Sequence, residues 1–201
     1  MRRLVLASTN PGKIAEISAI LAPLGWEILS TAAYPGFPEI EERGATFEEN
    51  AVEKARVTAA FTREIALADD SGLEVDYLHG APGVYSARFA GEPKNDAANN
   101  AKLLKLLEGV PYEKRTARFR CVIAIASPEG KVWTAEGVCN GYILTEPRGT
   151  GGFGYDPLFF FPEYQKTFAE LPPAVKNRVS HRGQALEKIR ELLAKFPVSD
   201  Q

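Results

Sequence analysis

The chain opens with a strand-like run, a tight polar turn and a helical repeat, and this pattern most constrains its fold. Residues 3–7 (Arg-Leu-Val-Leu-Ala) are a short apolar run of the kind found in central strands. After the turn at residues 8–13, apolar residues recur at helical spacing: Ile14, Ile17, Ile20, Leu21 and Leu24. The pattern predicts strand, loop and helix, with the loop at the helix N-terminus.

That loop has the chemistry of a phosphate site. Free N–H groups and the positive end of the helix dipole favour an anion there, and Lys13 adds a full charge. The predicted phosphate-binding residues are Ser8, Thr9, Asn10, Pro11, Gly12 and Lys13. The loop lacks the glycines and the Lys-Ser/Thr pair of a Walker motif, and an ordinary capped helix start is the alternative.

Two adjacent acids follow a second strand-like run. Residues 65–68 are apolar, and we expect the strand to end abruptly at Asp69 and Asp70. Buried acids are costly unless a metal ion or a lysine meets them, so the alternative is a polar turn at the strand end. Adjacent strand residues point to opposite faces, so the two acids cannot share one role while the strand stays regular.

The remaining segments predict helices on a mixed sheet. Residues 26–29 predict a strand, residues 31–45 an irregular loop, and Thr46 with Glu49 the capping box of a helix. Its predicted inner face comprises Phe47, Ala51, Ala55, Thr58 and Ala59. A helix from Asn95 or Asp96 precedes a hairpin whose turn is at residues 128–130, and this hairpin introduces antiparallel pairing. Further strands are expected at residues 142–144 and 158–161.

A second conspicuous loop lies at residues 148–157. Its glycines let the backbone approach a ligand closely, while Phe153 and Tyr155 supply flat faces for stacking a base. The alternative is a flexible turn between strands. Downstream, a short helical piece carries Lys176, and Ser180 caps a final helix whose first turn contains His181 and Arg182. Positive charge opposes the dipole there, which indicates a ligand-facing role.

Composition sets the broader class. The 201 residues, with 45% hydrophobic and 25% charged residues, predict one globular domain over residues 1–201, and the length also permits two lobes. The net charge of −2, the absence of a long apolar run and the N-terminal Met1-Arg2-Arg3 predict a cytoplasmic protein without nucleic-acid or membrane partners. Only two histidines and two cysteines are present, so a metal would have oxygen ligands, which favours Mg²⁺ or Mn²⁺.

Six segments together resemble the family of inosine triphosphate pyrophosphatase-like proteins, which hydrolyse deaminated purine nucleotides. They appear in the family's order: residues 8–13 (Ser-Thr-Asn-Pro-Gly-Lys), 41–51 (Glu-Glu-Arg-Gly-Ala-Thr-Phe-Glu-Glu-Asn-Ala), 68–73 (Ala-Asp-Asp-Ser-Gly-Leu), 80–88 (Gly-Ala-Pro-Gly-Val-Tyr-Ser-Ala-Arg), 151–157 (Gly-Gly-Phe-Gly-Tyr-Asp-Pro) and 180–182 (Ser-His-Arg). The resemblance implies an elongated mixed β-sheet flanked by helices, in two lobes with a central active-site cleft. It also implies a homodimer and magnesium-dependent conversion of ITP, dITP or XTP to the monophosphate and pyrophosphate.

The resemblance also assigns roles to residues. Asp70, directly before Ser71, would be the proton acceptor, and Asp70 with Glu41 would hold Mg²⁺, since the family's acid lies three residues before the loop glycine. Asp69 and Glu42 are candidates for acids that do not bind the metal directly but stabilise its ligands or a water bound to it. Lys54 adds a positive charge for the phosphates. The residues expected to contact the substrate beyond the phosphate loop are Ser71, Phe153, Gly154, Tyr155, Asp156, Lys176, His181 and Arg182.

Two alternatives stay open at this point. A Maf-type nucleotide pyrophosphatase would carry arginines at the end of its phosphate loop, where this chain has Asn10 and Lys13. A nucleotide-binding sensor without turnover would use the same site, but it would not need a base beside the metal. A 6-oxo base offers an acceptor where adenine has a donor, so cationic donors favour hypoxanthine and xanthine.

Overall fold

A computed structural model describes residues 2–195 of the chain. The strands are β1 (Arg2–Leu6), β2 (Trp26–Ser30), β3 (Ile65–Val75), β4 (Thr116–Ala126), β5 (Val132–Ile143), β6 (Phe159–Phe161) and β7 (Lys166–Thr167). The α-helices are α1 (Pro11–Leu21), α2 (Phe47–Thr62), α3 (Asp96–Leu106), α4 (Pro173–Val179) and α5 (His181–Ala194). In the part of the chain described, no helix combines the length and apolar character needed to cross a membrane.

The seven strands form one sheet in the order β2-β1-β3-β4-β5-β6-β7. Strand β1 pairs in parallel with β2 and with β3, so that Leu4 is opposite Ile28 on one side and Ile65 on the other. Strand β6 pairs in antiparallel fashion with β5 and with β7. The predicted mixed sheet of an α/β fold is therefore confirmed.

Local sequence explains why the helices begin where they do. The side chain of Asn10 accepts hydrogen bonds from the N–H groups of Gly12 and Lys13 at the start of α1, and Pro11 needs no such partner. At the start of α2, Thr46 accepts the N–H of Glu49, while the Glu49 carboxylate accepts the N–H of Ala45 rather than that of Thr46. The predicted inner face of α2 is buried throughout.

The chain divides into two compact units, each with its own core. The first comprises residues up to 70, 121–136 and those from 184, and the second comprises 71–120 and 137–183. The first core includes Leu4, Leu6, Ile17, Leu21, Leu67, Ile123, Ile125 and Leu186. The second includes Leu73, Leu103, Leu107, Phe119, Ile143, Leu158, Phe159 and Phe168. The single domain over residues 1–201 stays a prediction.

Two strand boundaries differ from the prediction. Strand β3 does not end at Asp69 but continues to Val75, because both acids find partners in the fold and the apolar Leu73 and Val75 prolong the buried strand. Residues 142–144 are not a separate strand, since Tyr142 and Ile143 are the last residues of β5. The segment after β3 contains the 3₁₀ segments Asp76–Leu78 and Gly83–Arg88.

Candidate functional site

The first unit gathers charged and polar side chains around β3. We call this group the acidic cluster, and its members are Lys13, Glu42, Asn50, Lys54, Asp69 and Asp70. Helix α2 contributes Asn50 and Lys54, which are four residues apart and therefore lie on the same helix face. Both face inward among alanines, where a polar residue needs a partner.

Lys13 and Lys54 supply the positive charge of this cluster, and both contact Asp69. The ammonium group of Lys13 lies 3.2 Å from the carboxylate of Asp69. Lys54 donates to the backbone oxygen of Asp69 at 2.5 Å and to the Glu42 carboxylate at 2.9 Å. Burial acts to lower the pKa of Lys54, but the charges of Asp69, Glu42 and Asp70 raise it, so the amine stays protonated.

Asp70 is held by an amide rather than by a lysine. Asn50 donates from Nδ2 to its carboxylate at 2.9 Å, and Asn50 Oδ1 accepts the N–H of Gly44 at 2.7 Å, which fixes the amide orientation. Burial, and then the charge of Glu42, raise the pKa of Asp70 to about 6, against the opposing effect of Lys54. A carboxylate whose pKa lies near neutral pH is suited to accept a proton.

The predicted separation of the two acids agrees with this geometry. Asp69 contacts Lys13 and Asp70 contacts Asn50, as expected for adjacent residues of a regular strand. The acids are thus not interchangeable.

The loop at residues 8–13 lies beside this cluster through Lys13. Thr9, Asn10, Pro11 and Gly12 are exposed, while Ser8 is half-buried and its hydroxyl accepts the N–H of Asn10. The Asn10 side chain already accepts the N–H groups of Gly12 and Lys13. Hence exposed side chains and Lys13, rather than those two amides, are the groups that this loop offers to an anion.

The two neighbouring glutamates have different surroundings. Glu42 is the partner of the buried Lys54, whereas Glu41 pairs with Arg43 and has a side chain that is 61% exposed. The structure thus brings Glu42, and not Glu41, to the acidic cluster. Glu41 nevertheless keeps a carboxylate that a cation can reach.

The second unit contains an aromatic residue surrounded by charges. We call this group the aromatic–cation cluster, and its members are Phe153, Asp156, Lys176 and Arg182. The Lys176 ammonium lies 4.6 Å and the Arg182 guanidinium carbon 5.5 Å from the centre of the Phe153 ring. Arg182 also reaches the hydroxyl of Ser71 at 3.5 Å. Phe153 is 40% exposed, so part of its ring is open to a ligand.

Asp156 organises the loop that carries Phe153. Its Oδ2 atom accepts the N–H of Phe153 at 3.0 Å and the Lys176 ammonium at 2.7 Å. Burial raises the pKa of Asp156, although Lys176, the Phe153 amide and Arg182 favour its charged form. Gly152 has φ +69° and lies so close that a Cβ atom there would collide with the Asp156 carboxylate.

Two residues expected to contact the base, Tyr155 and His181, are buried. The Tyr155 ring does not offer a stacking face, because it is buried in the second core with its hydroxyl donating to Ser86 O at 2.6 Å. The His181 ring is buried and stacks 4.7 Å from Phe119, which covers one face of the ring, and its contact with the base stays a prediction. A favourable place in the apolar core accounts for both positions.

Comparison with known proteins identifies the family. The profile of the Ham1 family matches residues 4–192. The dITP/XTP pyrophosphatase of Desulforamulus reducens is 61% identical over 199 residues, covering 99% of both chains, and that of Geobacter sulfurreducens is 60% identical over 96% of this chain and 97% of its own. The solved HAM1 protein of Coxiella burnetii has 45% identity and a TM-score of 0.91, covering 98% of this chain and 100% of its own.

The chain belongs to the Ham1 family. The resemblance that the six segments indicated is thereby confirmed. The mixed sheet flanked by helices also agrees with the solved Ham1 structures.

In this Ham1-family chain, the sequence motifs did not predict the role of Asn50. It lay inside a recognised motif, but no function was assigned to it, although it fixes Asp70. The signal was an amide on a helix face otherwise composed of alanine, phenylalanine, threonine and one lysine, Lys54. A polar group on such a face is satisfied by a specific partner, and the nearest acid-rich strand supplied it.

Proposed function

We propose that this chain hydrolyses dITP, XTP and ITP to the nucleoside monophosphate and pyrophosphate. The observation that carries the proposal is the buried Asp70, held by Asn50 with a pKa of about 6 beside a protonated Lys54. Its full-length relatives named dITP/XTP pyrophosphatase support the same activity and substrate class.

The acidic cluster serves the triphosphate in this proposal. Asp70 accepts a proton from the water that attacks the α-phosphorus, and its pKa matches that task near neutral pH. Lys13 and Lys54 place positive charge where charge develops on the phosphate oxygens. The side-chain donors of Ser8, Thr9 and Asn10 hold the outer phosphates.

A divalent cation fits the acids of this unit. In the described residues, no three His, Cys, Asp or Glu side chains form a metal-binding group. Mg²⁺ commonly binds through one or two carboxylates together with substrate phosphates, so such a group is not required. We assign Asp70 and the exposed Glu41 as its ligands, and leave Glu42 and Asp69 as partners of the lysines. When bound, the cation offsets phosphate charge and polarises the scissile group.

The aromatic–cation cluster serves the base. Phe153 offers a face for stacking, and Lys176 and Arg182 supply donors suited to a 6-oxo acceptor, which adenine lacks. Gly154 and Tyr155 contribute through their backbone, whereas Asp156 and His181 act by holding the loop and the core. Cytoplasmic location, favoured by composition and charge, and a homodimer, implied by the family resemblance, complete the proposal.

A pyrophosphate-release assay with Mg²⁺ tests this function. We expect turnover of dITP, ITP and XTP far faster than of ATP or GTP, with pyrophosphate rather than phosphate as the product. Binding of the nucleotide without turnover would instead support a sensor. Preference for pyrimidine triphosphates would support a Maf-type enzyme.

A further inference from the structure

Helix α3 forms two side-chain hydrogen bonds with Gly154, in the loop of the aromatic–cation cluster. The carboxylate of Asp96 accepts the N–H of Gly154 at 2.9 Å. The side-chain amide of Asn100 donates to the backbone oxygen of the same glycine at 3.1 Å. Asp96 and Asn100 are four residues apart in α3, so one helix face presents both groups.

These two hydrogen bonds fix the peptide groups on both sides of Gly154. The N–H belongs to the peptide that follows Phe153, and the C=O belongs to the peptide that precedes Tyr155. Gly154 has φ +59°, a conformation that glycine adopts readily and leaves readily, so the glycine does not hold the loop by itself. The N–H of Phe153 is held separately by Asp156.

The surroundings of Asn100 indicate a dedicated contact. Its Oδ1 atom is buried and accepts no hydrogen bond within residues 2–195, while its Nδ2 atom donates to Gly154. A buried acceptor without a partner costs stability. The Asn100 side chain therefore adds little to the stability of α3, and its one hydrogen bond within residues 2–195 connects the helix to this loop.

We propose that Asp96 and Asn100 are positioning residues for base recognition, which act by holding Gly154 so that the Phe153 ring faces the base. This inference rests on the proposed function of the aromatic–cation cluster. In this proposal, Asp96 and Asn100 support recognition of the base through Gly154, without contacting the base or the phosphates themselves. Loss of either hydrogen bond weakens binding of the nucleotide through its base and leaves the acidic cluster intact.

Two variants separate this role from the stability of α3. Asn100→Leu removes the donor to Gly154, but leucine is the better helix former and leaves no buried polar atom, so the melting temperature should not fall. Asp96→Ala removes the acceptor for the Gly154 N–H. The matched control is Asn95→Ala, which removes the cap on Ala98 without touching Gly154.

The expected result is a split between KM and kcat. Both test variants should raise the KM for dITP by about tenfold and change kcat by less than about twofold. Asn95→Ala should lower the melting temperature with KM unchanged. Asp96→Asn should restore a KM near that of the wild type, because its side-chain oxygen still accepts the Gly154 N–H. An unchanged KM in both test variants, or an equal rise in Asn95→Ala, would overturn the proposal.

Calorimetric binding of inosine monophosphate separates this inference from the proposed function. A wild-type protein that binds the monophosphate but releases no pyrophosphate from dITP would refute the catalytic function alone. Weaker monophosphate binding by Asn100→Leu and Asp96→Ala, but not by Asn95→Ala, would still support the positioning role. A wild type that neither binds nor hydrolyses the inosine nucleotides would overturn both.

Discussion

The environment of Asp70 shows how one residue can be both buried and reactive. Its carboxylate receives a hydrogen bond from Asn50, which favours the charged form, while burial and Glu42 favour the protonated form. The balance leaves its pKa at about 6. Burial and the charge of Glu42 outweigh the opposing effects of Lys54 and Asn50 on this pKa, so Asp70 is a better proton acceptor than an exposed aspartate.

Replacing Asp70 by Asn should abolish turnover and leave the protein folded. The amide cannot accept a proton from water, but it keeps the shape of the carboxylate and an oxygen for Asn50. Pyrophosphate release and circular dichroism measure the two effects. Retained activity in a folded variant would move the proton acceptor to Asp69 or elsewhere.

The same substitution has a pH-dependent effect on stability. The folded-state pKa of about 6 lies above the ordinary value of 3.8, so the folded protein holds the proton more tightly and loses stability as pH rises through this window. In EDTA, Asp70→Asn should therefore be more stable than the wild type at pH 8, by about 1–3 kcal/mol. Urea unfolding at pH 8 and pH 4 measures the difference, which should shrink at pH 4. Equal differences at both pH values would contradict the raised pKa.

Glu41 and Glu42 should respond differently to removal of their charge. Glu41→Gln should raise the Mg²⁺ concentration needed for half-maximal activity, because it removes a proposed ligand. Glu42→Gln should leave that concentration nearly unchanged and lower the pKa of Lys54, whose charged form it supports. Magnesium titrations of the two variants make the comparison, with each serving as control for the other. A reversed outcome would assign the metal to Glu42.

At the scale of elements, the loop before β6 depends on close packing around the Asp156 carboxylate. The Phe153 amide and Lys176 both bind one carboxylate oxygen, and Gly152 passes so near that no side chain fits. The loop is therefore a fixed structure rather than a flexible glycine turn, which was the alternative at the level of sequence.

Gly152→Ala should disturb this loop in two ways, by backbone strain at a positive φ and by a collision of the new Cβ atom. The Cβ atom would collide with Asp156, so the KM for dITP should rise about tenfold or more. Gly130→Ala is the matched control, since Gly130 also has positive φ (+93°) but has open space where the Cβ would go. Steady-state kinetics and thermal melting of both variants check this. Equal effects on KM would show that backbone strain, not the collision, matters.

At the scale of the whole molecule, local patterns predicted most elements, but long-range partners decided the exceptions. Strand β1, helix α2 and the capped start of α5 followed from apolar spacing and capping residues. The extent of β3 did not, because Asp69 is stabilised in it by Lys13, 56 residues away in the chain.

In the site too, local patterns predicted some contacts, and long-range partners decided the others. The motifs correctly grouped Lys13, Lys54 and the two acids, since loop and strand ends carry recognisable polar residues. The burial of Tyr155 was not predictable, because its partner Ser86 lies 69 residues earlier and offers a backbone oxygen that no sequence pattern reveals. Contacts to backbone atoms leave no trace in residue identity, and this limits sequence reasoning about such loops.

Arg115 links distant parts of the second unit in the same way. Its guanidinium donates to the backbone oxygens of Leu107 and Val110 after α3 and of Ile143 and Leu144 at the end of β5. Within residues 2–195 it pairs with no carboxylate, and burial lowers its pKa. Four carbonyl groups therefore share one cation, and that of Leu107 also accepts the N–H of Val110.

Arg115→Lys should destabilise the protein by about 2–4 kcal/mol, because one ammonium group cannot reach carbonyls that a planar guanidinium bridges, and buried oxygens lose their donors. Arg118→Lys is the control, since Arg118 is more exposed and bonds a single carboxylate, so it should cost under about 1 kcal/mol. Urea unfolding measures both. Because Arg115 lies in neither cluster, the KM for dITP should stay near the wild-type value below the unfolding transition. Equal stability losses in the two variants would show that the shared carbonyl contacts add nothing beyond an ordinary surface arginine.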